Sequence, residues 1–272
     1  MKEITIEAGR GEKQYWQDIW GYRELFYFLA WRNILVRYKQ TVIGVAWAVL
    51  RPLLTVLVLT FVFQRVAGMK SEGAVPYSIM VFCGMLPWQF FATAFMESGN
   101  SLVSNAGMIS KVYFPRLAVP VSSVITSFID FLVSGVLLAL LMAVFGVVPS
   151  PMIVALPLFI LLAFATALGA GLWVSALMVR YRDFRFIVPF VVQFGLYLSP
   201  VGFSAIAVPE KYRLLYSLNP MVGVIDGFRW AILGQKALYW PGLGLAFAGV
   251  AVLLVTGVWY FRKTERTFAD VI

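Results

Sequence analysis

The sequence predicts an all-α membrane protein with six transmembrane helices, an N-terminal amphipathic helix and two short helices between the fifth and sixth spans. Of its 272 residues, 61% are hydrophobic and only 13% are charged, against about 25% charged in an ordinary soluble domain. Crossing a hydrocarbon core of about 30 Å takes about 20 apolar helical residues, and six stretches have that length. The basic residues are distributed unequally between the loops. One membrane domain, residues 1–272, accounts for the chain.

Residues 16–38 precede the first span and predict the amphipathic helix. Apolar side chains such as Trp16, Trp20 and Leu29 recur at roughly helical spacing, with charged residues between them. This pattern is typical of a helix in the membrane interface. The alternative is a soluble amphipathic helix packed on a domain, which fits less well because no soluble domain follows.

The six predicted spans are residues 42–63, 75–95, 118–147, 152–179, 186–206 and 240–261. The third and fourth exceed the minimum length, so we expect them to tilt or to project beyond the bilayer. An even number of spans places both termini on one side of the membrane.

The distribution of Lys and Arg predicts which side that is. Of 22 such residues, the six that fall on the far side are Arg65, Lys70, Lys211, Arg213, Arg229 and Lys236. The other sixteen lie with the termini, which favours cytoplasmic termini because basic residues accumulate in cytoplasmic loops. The first forty residues contain no isolated apolar region before a small-residue cleavage site, so we expect no cleaved signal peptide.

Residues 208–239 join the fifth and sixth spans on the far side of the membrane. They are too apolar for a free loop and too few to cross the membrane twice. Asn219 and Pro220 punctuate the segment as a turn, which predicts two short helices. We expect them to be re-entrant or interfacial, because nonhelical backbone at membrane depth needs shelter.

The composition excludes several functions. The absence of histidine excludes histidine-ligated metal sites and a histidine general base. The single cysteine, Cys83, allows no intrachain disulfide. No G-x-x-x-x-G-K-[ST] phosphate loop occurs, so any ATP must bind to another chain. We assign the net charge of +9 to loops and anionic lipid rather than to nucleic acid.

Three charged residues lie within or close to the spans. Asp130 is deep in the third span and Glu97 follows the second, and an ionisable group at this depth indicates either a functional site or an ion pair with a neighbouring helix. Arg51 precedes Pro52 near the cytoplasmic end of the first span. Its guanidinium either extends to the headgroups or contacts the phosphate of a lipid carrier.

Aromatic residues cluster in the second and fifth spans. The rings considered for contact with a substrate are Phe82, Trp88, Phe90, Phe91, Phe190, Phe194 and Tyr197. Ring faces suit the C–H surfaces of sugars, although packing alone explains most rings in a helical bundle. Together they predict a carbohydrate-lined tunnel.

Six strings occur in a fixed order along the chain: RYKQTVIGVAW, GMLPWQFF, KVYFPR, YRDFRF, QFGLYLSPV and NPMVGVIDGFRWAILG. Each is weak alone. As an ordered set, from about Trp20 to Arg262, they resemble the permease family of polysaccharide ABC exporters, which includes O-antigen and teichoic acid exporters.

This resemblance implies a homodimer in a bacterial plasma membrane, joined to two cytoplasmic ATPase subunits that bind ATP and Mg²⁺. A polymer on a polyprenyl diphosphate carrier would pass through a tunnel at the dimer centre. The residues expected to receive the ATPase's motion are Arg32, Arg37, Ser110, Lys111, Tyr113, Phe114, Arg116, Arg182 and Asp183. Those expected to form an extracytoplasmic gate are Tyr212, Tyr216, Asn219, Pro220, Phe228 and Arg229.

Alternatives stay open at this point. A capsule or teichoic acid exporter fits as well as an O-antigen exporter. A membrane glycosyltransferase normally needs a carboxylate cluster, whereas the carboxylates here are scattered. An ion-coupled transporter needs several intramembrane acids and usually repeats. A purely structural membrane protein leaves the outer segment unexplained.

Overall fold

The computed structural model describes residues 12–39, 44–69, 71, 75–234 and 238–268. All regular secondary structure within these ranges is helical, which confirms the all-α prediction. Residues 42–43 of the first predicted span and 235–237 of the outer segment lie outside the described ranges.

The N-terminal amphipathic segment consists of two helices, where the sequence predicted one. Helix α1 runs over Glu12–Gly21 and α2 over Arg23–Lys39, with a turn at Tyr22. Gly21 ends the first helix, as its poor helix propensity would favour. Leu29 and Ala30 of α2 are buried against the bundle, whereas Tyr27, Phe28 and Trp31 are exposed.

In the described part of the chain, five long apolar helical segments have the length and composition to cross a membrane. They are α3 (Gly44–Thr60, continued by a π-helical turn over Phe61–Val66), α4 (Tyr77–Ser104), α6 (Ala118–Val144), α7 (Leu156–Arg180, preceded by a 3-10 turn over Pro151–Ala155) and α11 (Trp240–Glu265). The short helix α5 (Ala106–Ile109) follows α4. The largest difference from the predicted spans is α4, which continues to Ser104 instead of ending near residue 95.

The fifth predicted span is shorter than expected. Helix α8 covers only Phe184–Leu198, 15 residues, which rise about 22 Å. It ends because Pro200 forces the residue before it into extended backbone, and Ser199 has ψ of 149°. The chain continues through a nonhelical stretch to a 3-10 turn at Ala205–Ala207 and then to α9 (Glu210–Tyr216) and α10 (Pro220–Leu233).

Helix α4 lies at the centre of the bundle, packed by α6, α7 and α10. Helices α7 and α11 approach closely through glycine: a Cβ on Gly257 would lie 2.6 Å from the Gly169 carbonyl oxygen. Small residues of this kind let membrane helices pack backbone to backbone.

Both ends of the described chain meet at one end of the bundle. The Tyr15 hydroxyl donates to the Glu265 carboxylate at 2.9 Å, and Arg116 donates to the Glu265 carbonyl. Arg32 of α2 donates to Asn105, just after α4, at 2.8 Å. We call this the basic end, since it carries Arg32, Arg116, Arg182 and Arg262. Helices α9 and α10 lie at the opposite end.

Candidate functional site

At the opposite end, a buried arginine holds the nonhelical stretch that follows α8. Arg229 of α10 is only 5% exposed. Its guanidinium donates to the carbonyl oxygens of Phe203 and Val201, each at 2.7 Å, and to that of Met80 at 3.3 Å. Unpaired carbonyls are costly at membrane depth, so Arg229 allows α8 to stop part-way.

Two further side chains hold the same stretch. The Tyr77 hydroxyl donates to the Gly202 carbonyl. Asn219 donates to the Ser199 hydroxyl at 3.0 Å and accepts from the Met221 backbone N–H at 3.0 Å, which caps α10. Asn219 and Pro220 therefore begin a helix, as their position in the sequence indicated.

The residues predicted to form a gate fall into two groups. Tyr212 lies on α9 and is exposed, and Tyr216 is half-buried. Phe228 is fully buried, like Arg229, because α10 inserts among α4, α7 and α11. Helix α9 is therefore the accessible part of this segment, whereas α10 belongs to the core. Their function as a gate stays a prediction.

Toward the basic end of α4, one arginine pairs with an acid on each of two membrane helices. Arg37 of α2 donates to Glu97 of α4 and to Asp130 of α6, and Tyr38 also donates to Asp130. Burial lowers the pKa of the Arg37 guanidinium, but the two carboxylates raise it by more, so the net shift is upward. Burial and the bond to Asp130 raise the pKa of Tyr38, which keeps its proton for donation.

This cluster fixes α2 to two membrane helices at once. Of the two roles that the sequence left open for Asp130, the structure contains the ion pair with a neighbouring helix. Arg37 and Arg32, two of the residues predicted to receive an ATPase's motion, both contact other parts of the chain, Arg32 through Asn105. Their role in coupling stays a prediction.

The loop predicted to contact an ATPase has an exposed tip and a buried anchor. Ser110, Lys111 and Tyr113 are exposed. Phe114 is buried in a cluster that includes Leu29, Leu102 and Phe261. Arg116 is fixed to the end of α11 through Glu265. Arg182 and Asp183, in the turn between α7 and α8, are both exposed.

The predicted tunnel residues separate by helix. Phe82, Trp88 and Phe90 of α4 are buried within the single chain, and Phe91 is half-buried. Phe190, Phe194 and Tyr197 of α8 are exposed. Arg51 is exposed on α3, a helix whose outer face also exposes Trp47, Leu54 and Leu57. The exposed residues of α3 and α8 are accessible to a ligand or to a second chain.

Sequence reasoning missed two contacts. One sequence feature could have predicted the pairing of Arg37 with Glu97 and Asp130, because an isolated acid in a span needs a cation nearby. A weaker feature indicated the role of Arg229, because an arginine in the apolar string GFRWAIL requires hydrogen-bond acceptors.

These features define a polytopic α-helical membrane protein with a helix that ends part-way and a second helix buried at the same end. Residues 24–233 match the family described as ABC-2 type transporter. The chain belongs to this family.

Its relatives align along nearly their whole length. The O-antigen export system permease protein RfbA of Klebsiella pneumoniae is 27% identical over 242 residues, 89% of this chain and 92% of the relative. RfbA of Myxococcus xanthus is 27% identical over 259 residues, 94% of this chain and 98% of the relative. The capsule polysaccharide export inner-membrane protein CtrC of Neisseria meningitidis is 24% identical over 256 residues, 93% of this chain and 95% of the relative.

Proposed function

We propose that the chain is the membrane-spanning subunit of an ATP-driven exporter that moves an O-antigen-type polysaccharide, linked to a polyprenyl diphosphate, across the bacterial plasma membrane. The observation that carries this proposal is the match to O-antigen export permeases over 89% and 94% of the chain. This match supports two parts of the proposal: that the chain is a transporter subunit, and that the transported molecule is a polysaccharide.

The basic end suits an ATPase partner. The sequence contains no phosphate-binding loop, so ATP and Mg²⁺ belong to two separate ATPase subunits. Lys111 and Tyr113 project from a loop that Phe114 anchors in the core. A rigid anchor beneath an exposed tip is suited to transmitting motion. Basic residues also favour the cytoplasmic side for this end.

A second copy of the chain would complete the tunnel. Within one chain, only 11% of the apolar stretch Val49–Val66, which contains most of α3, is buried, against 72% of the apolar stretch in α4. Helices α3 and α8 both expose apolar side chains. Pairing two copies across these helices would place Phe190, Phe194 and Tyr197 near the central path, where ring faces suit sugar surfaces. Helix α9 lies at the outer end of that path.

Affinity purification in mild detergent tests the proposal. The tagged chain should recover an ATPase in equal amount, and ATP hydrolysis should respond to added lipid-linked polysaccharide. Tyr113→Ala should keep the complex and weaken the coupling of hydrolysis to export, because Tyr113 is exposed. Phe114→Ala is the structural control and should reduce the yield of folded protein.

Two outcomes would contradict the proposal. One is a chain that comes out alone under several detergents and binds no neighbouring ATPase on reconstitution. The other is an ATPase complex whose ATP hydrolysis does not respond to lipid-linked polysaccharide and which exports a different solute.

A capsule exporter is the second candidate. It is favoured by the similarity to CtrC and to the polysialic acid transport protein KpsM of Escherichia coli, which is 20% identical over 240 residues. Deleting the gene and identifying the glycan that accumulates inside the cell separates the two cargoes.

A further inference from the structure

A cavity of about 370 Å³ opens at the basic end, where α4 and α7 finish and α8 begins. Its polar lining comes from Asn100, Arg182 and Arg185, and its apolar lining includes Met178, Val179 and Phe186. No acidic side chain is among the described residues that line it. The lining of the cavity therefore combines two cationic side chains with apolar ones.

The two guanidinium groups have no protein partner in the described part of the chain. Neither Arg182 nor Arg185 makes a side-chain hydrogen bond or ion pair there, unlike Arg37, Arg116 and Arg229. Two planar guanidiniums beside an amide present several N–H donors to one volume. Phosphate oxygens match such a set of donors better than a single carboxylate does.

An apolar path leads from the cavity along α8. Phe186 lines the cavity and is 77% exposed. Phe190 and Phe194 follow at intervals of four residues, so they lie on the same face of the helix. Their ring centroids are 4.2 Å apart. A ligand with its anionic group at the arginines would have a continuous apolar surface for a long chain.

We propose that this cavity binds the phosphate-bearing headgroup of a membrane lipid, with the lipid's chain along Phe186, Phe190 and Phe194. The site lies where apolar helices end, which is the depth of lipid headgroups. The ligand has two possible sources that share this chemistry: an anionic phospholipid of the bilayer or the lipid carrier of the cargo. For the lipid carrier the inference rests on the proposed function, whereas binding of a bilayer phospholipid does not depend on which solute is exported.

The test measures lipid binding to the full-length chain in mild detergent, without an ATPase or polysaccharide. The probes are phosphatidylglycerol, a polyprenyl diphosphate and inorganic pyrophosphate, each titrated by native mass spectrometry. The test variant is Arg182→Gln with Arg185→Gln. The matched control is Arg23→Gln with Arg180→Gln, which removes two charges from exposed positions that do not line the cavity.

The test variant should lose at least about tenfold in affinity for a lipid probe, since hydrogen bonds from charged donors are among the strong ones. The control should stay within about twofold of the unmodified chain. Phe186→Ala should weaken binding of the same lipid and leave any pyrophosphate binding unchanged. Whichever lipid responds identifies the source, and either lipid supports the proposal.

Three results would overturn it. The first is an equal loss of affinity in both double variants, which would mean general surface charge. The second is full affinity of the test variant for both lipids, and the third is binding of pyrophosphate alone. Equal melting midpoints for all variants establish that folding is not the cause. Because the chain is measured alone, a failure here leaves the ATPase test of the proposed function unaffected.

Discussion

Helices α4 and α8 carry the same kinds of aromatic residue in opposite environments. Phe82 and Phe90 of α4 are 1% and 3% exposed, whereas Phe194 and Tyr197 of α8 are 52% and 62% exposed. Helix α4 is packed on several sides by α6, α7 and α10, and α8 packs mainly on α4 and α7. The same residue type therefore stabilises the chain in one helix and forms accessible surface in the other.

The contact between the two helices accounts for part of this difference. Trp88 of α4 packs so closely on Gly195 of α8 that a Cβ there would lie 2.6 Å from the ring. Trp88 thus supports the inner face of α8, and the rings on the outer face remain open. Of the rings on these two helices, the exposed ones all lie on α8.

The largest effect is expected where the two regions are joined, at Arg229. Arg229→Met leaves the carbonyls of Met80, Val201 and Phe203 without their donor. We expect a loss of about 3–5 kcal/mol in the free energy of unfolding, because buried acceptors would lose charged donors. Denaturation of the purified chain by titration with SDS measures it. Arg65→Met, at an exposed position, is the control; an equal loss in both variants would contradict this role.

Phe90→Ala tests whether the buried rings of α4 stabilise the chain. The Phe90 ring lies 5.5 Å from Phe131, 5.7 Å from Phe128 and 6.2 Å from Phe164, measured between centroids. Removing it leaves a cavity among three rings, so we expect a loss of about 2–4 kcal/mol. The same SDS titration provides the measurement. A loss below that of Phe194→Ala would reverse the comparison.

Arg37→Met should have a smaller effect, about 1–3 kcal/mol, because water reaches part of the cluster and weakens its ion pairs. The side chains of Arg37 and Glu97 are 25% and 38% exposed. Without the arginine, Glu97 and Asp130 are left as neighbouring acids with no cation between them, although Asp130 still accepts from Tyr38. Adding Glu97→Gln and Asp130→Asn to the variant should restore most of the stability. If the triple variant is no better than Arg37→Met alone, the cluster acts through packing rather than charge.

Five of the six predicted spans correspond to long apolar helices in the described residues, because hydropathy and length determine which segments can cross a membrane. The sequence did not predict the early end of α8, although Pro200 supplied the local signal. The nonhelical stretch that follows is stabilised by Arg229, which lies close in space but 29 residues from Pro200 in sequence and donates to its carbonyls, together with Tyr77. Contacts of this kind depend on tertiary packing.

The aromatic residues show the same limit for the candidate site. Composition indicated that rings were abundant in the second and fifth spans, and both spans contain them. Whether a ring faces the core or the surface depends on how many helices surround its own helix. That number is not encoded in the local pattern, so the division between Phe90 and Phe194 required the structure.

Phe194→Ala should have the smallest effect on stability and a clear effect on transport. More than half of the side chain is already exposed, so its removal leaves little cavity, and we expect less than about 0.5 kcal/mol of change in unfolding. If the open face of α8 contacts the passing polysaccharide, the export rate should nevertheless fall severalfold. Leu161→Ala, at an exposed position on α7, is the matched control and should change neither quantity. Unchanged export with Phe194→Ala would remove α8 from the substrate path, whereas a large loss of stability would mean that this face is buried against a second copy.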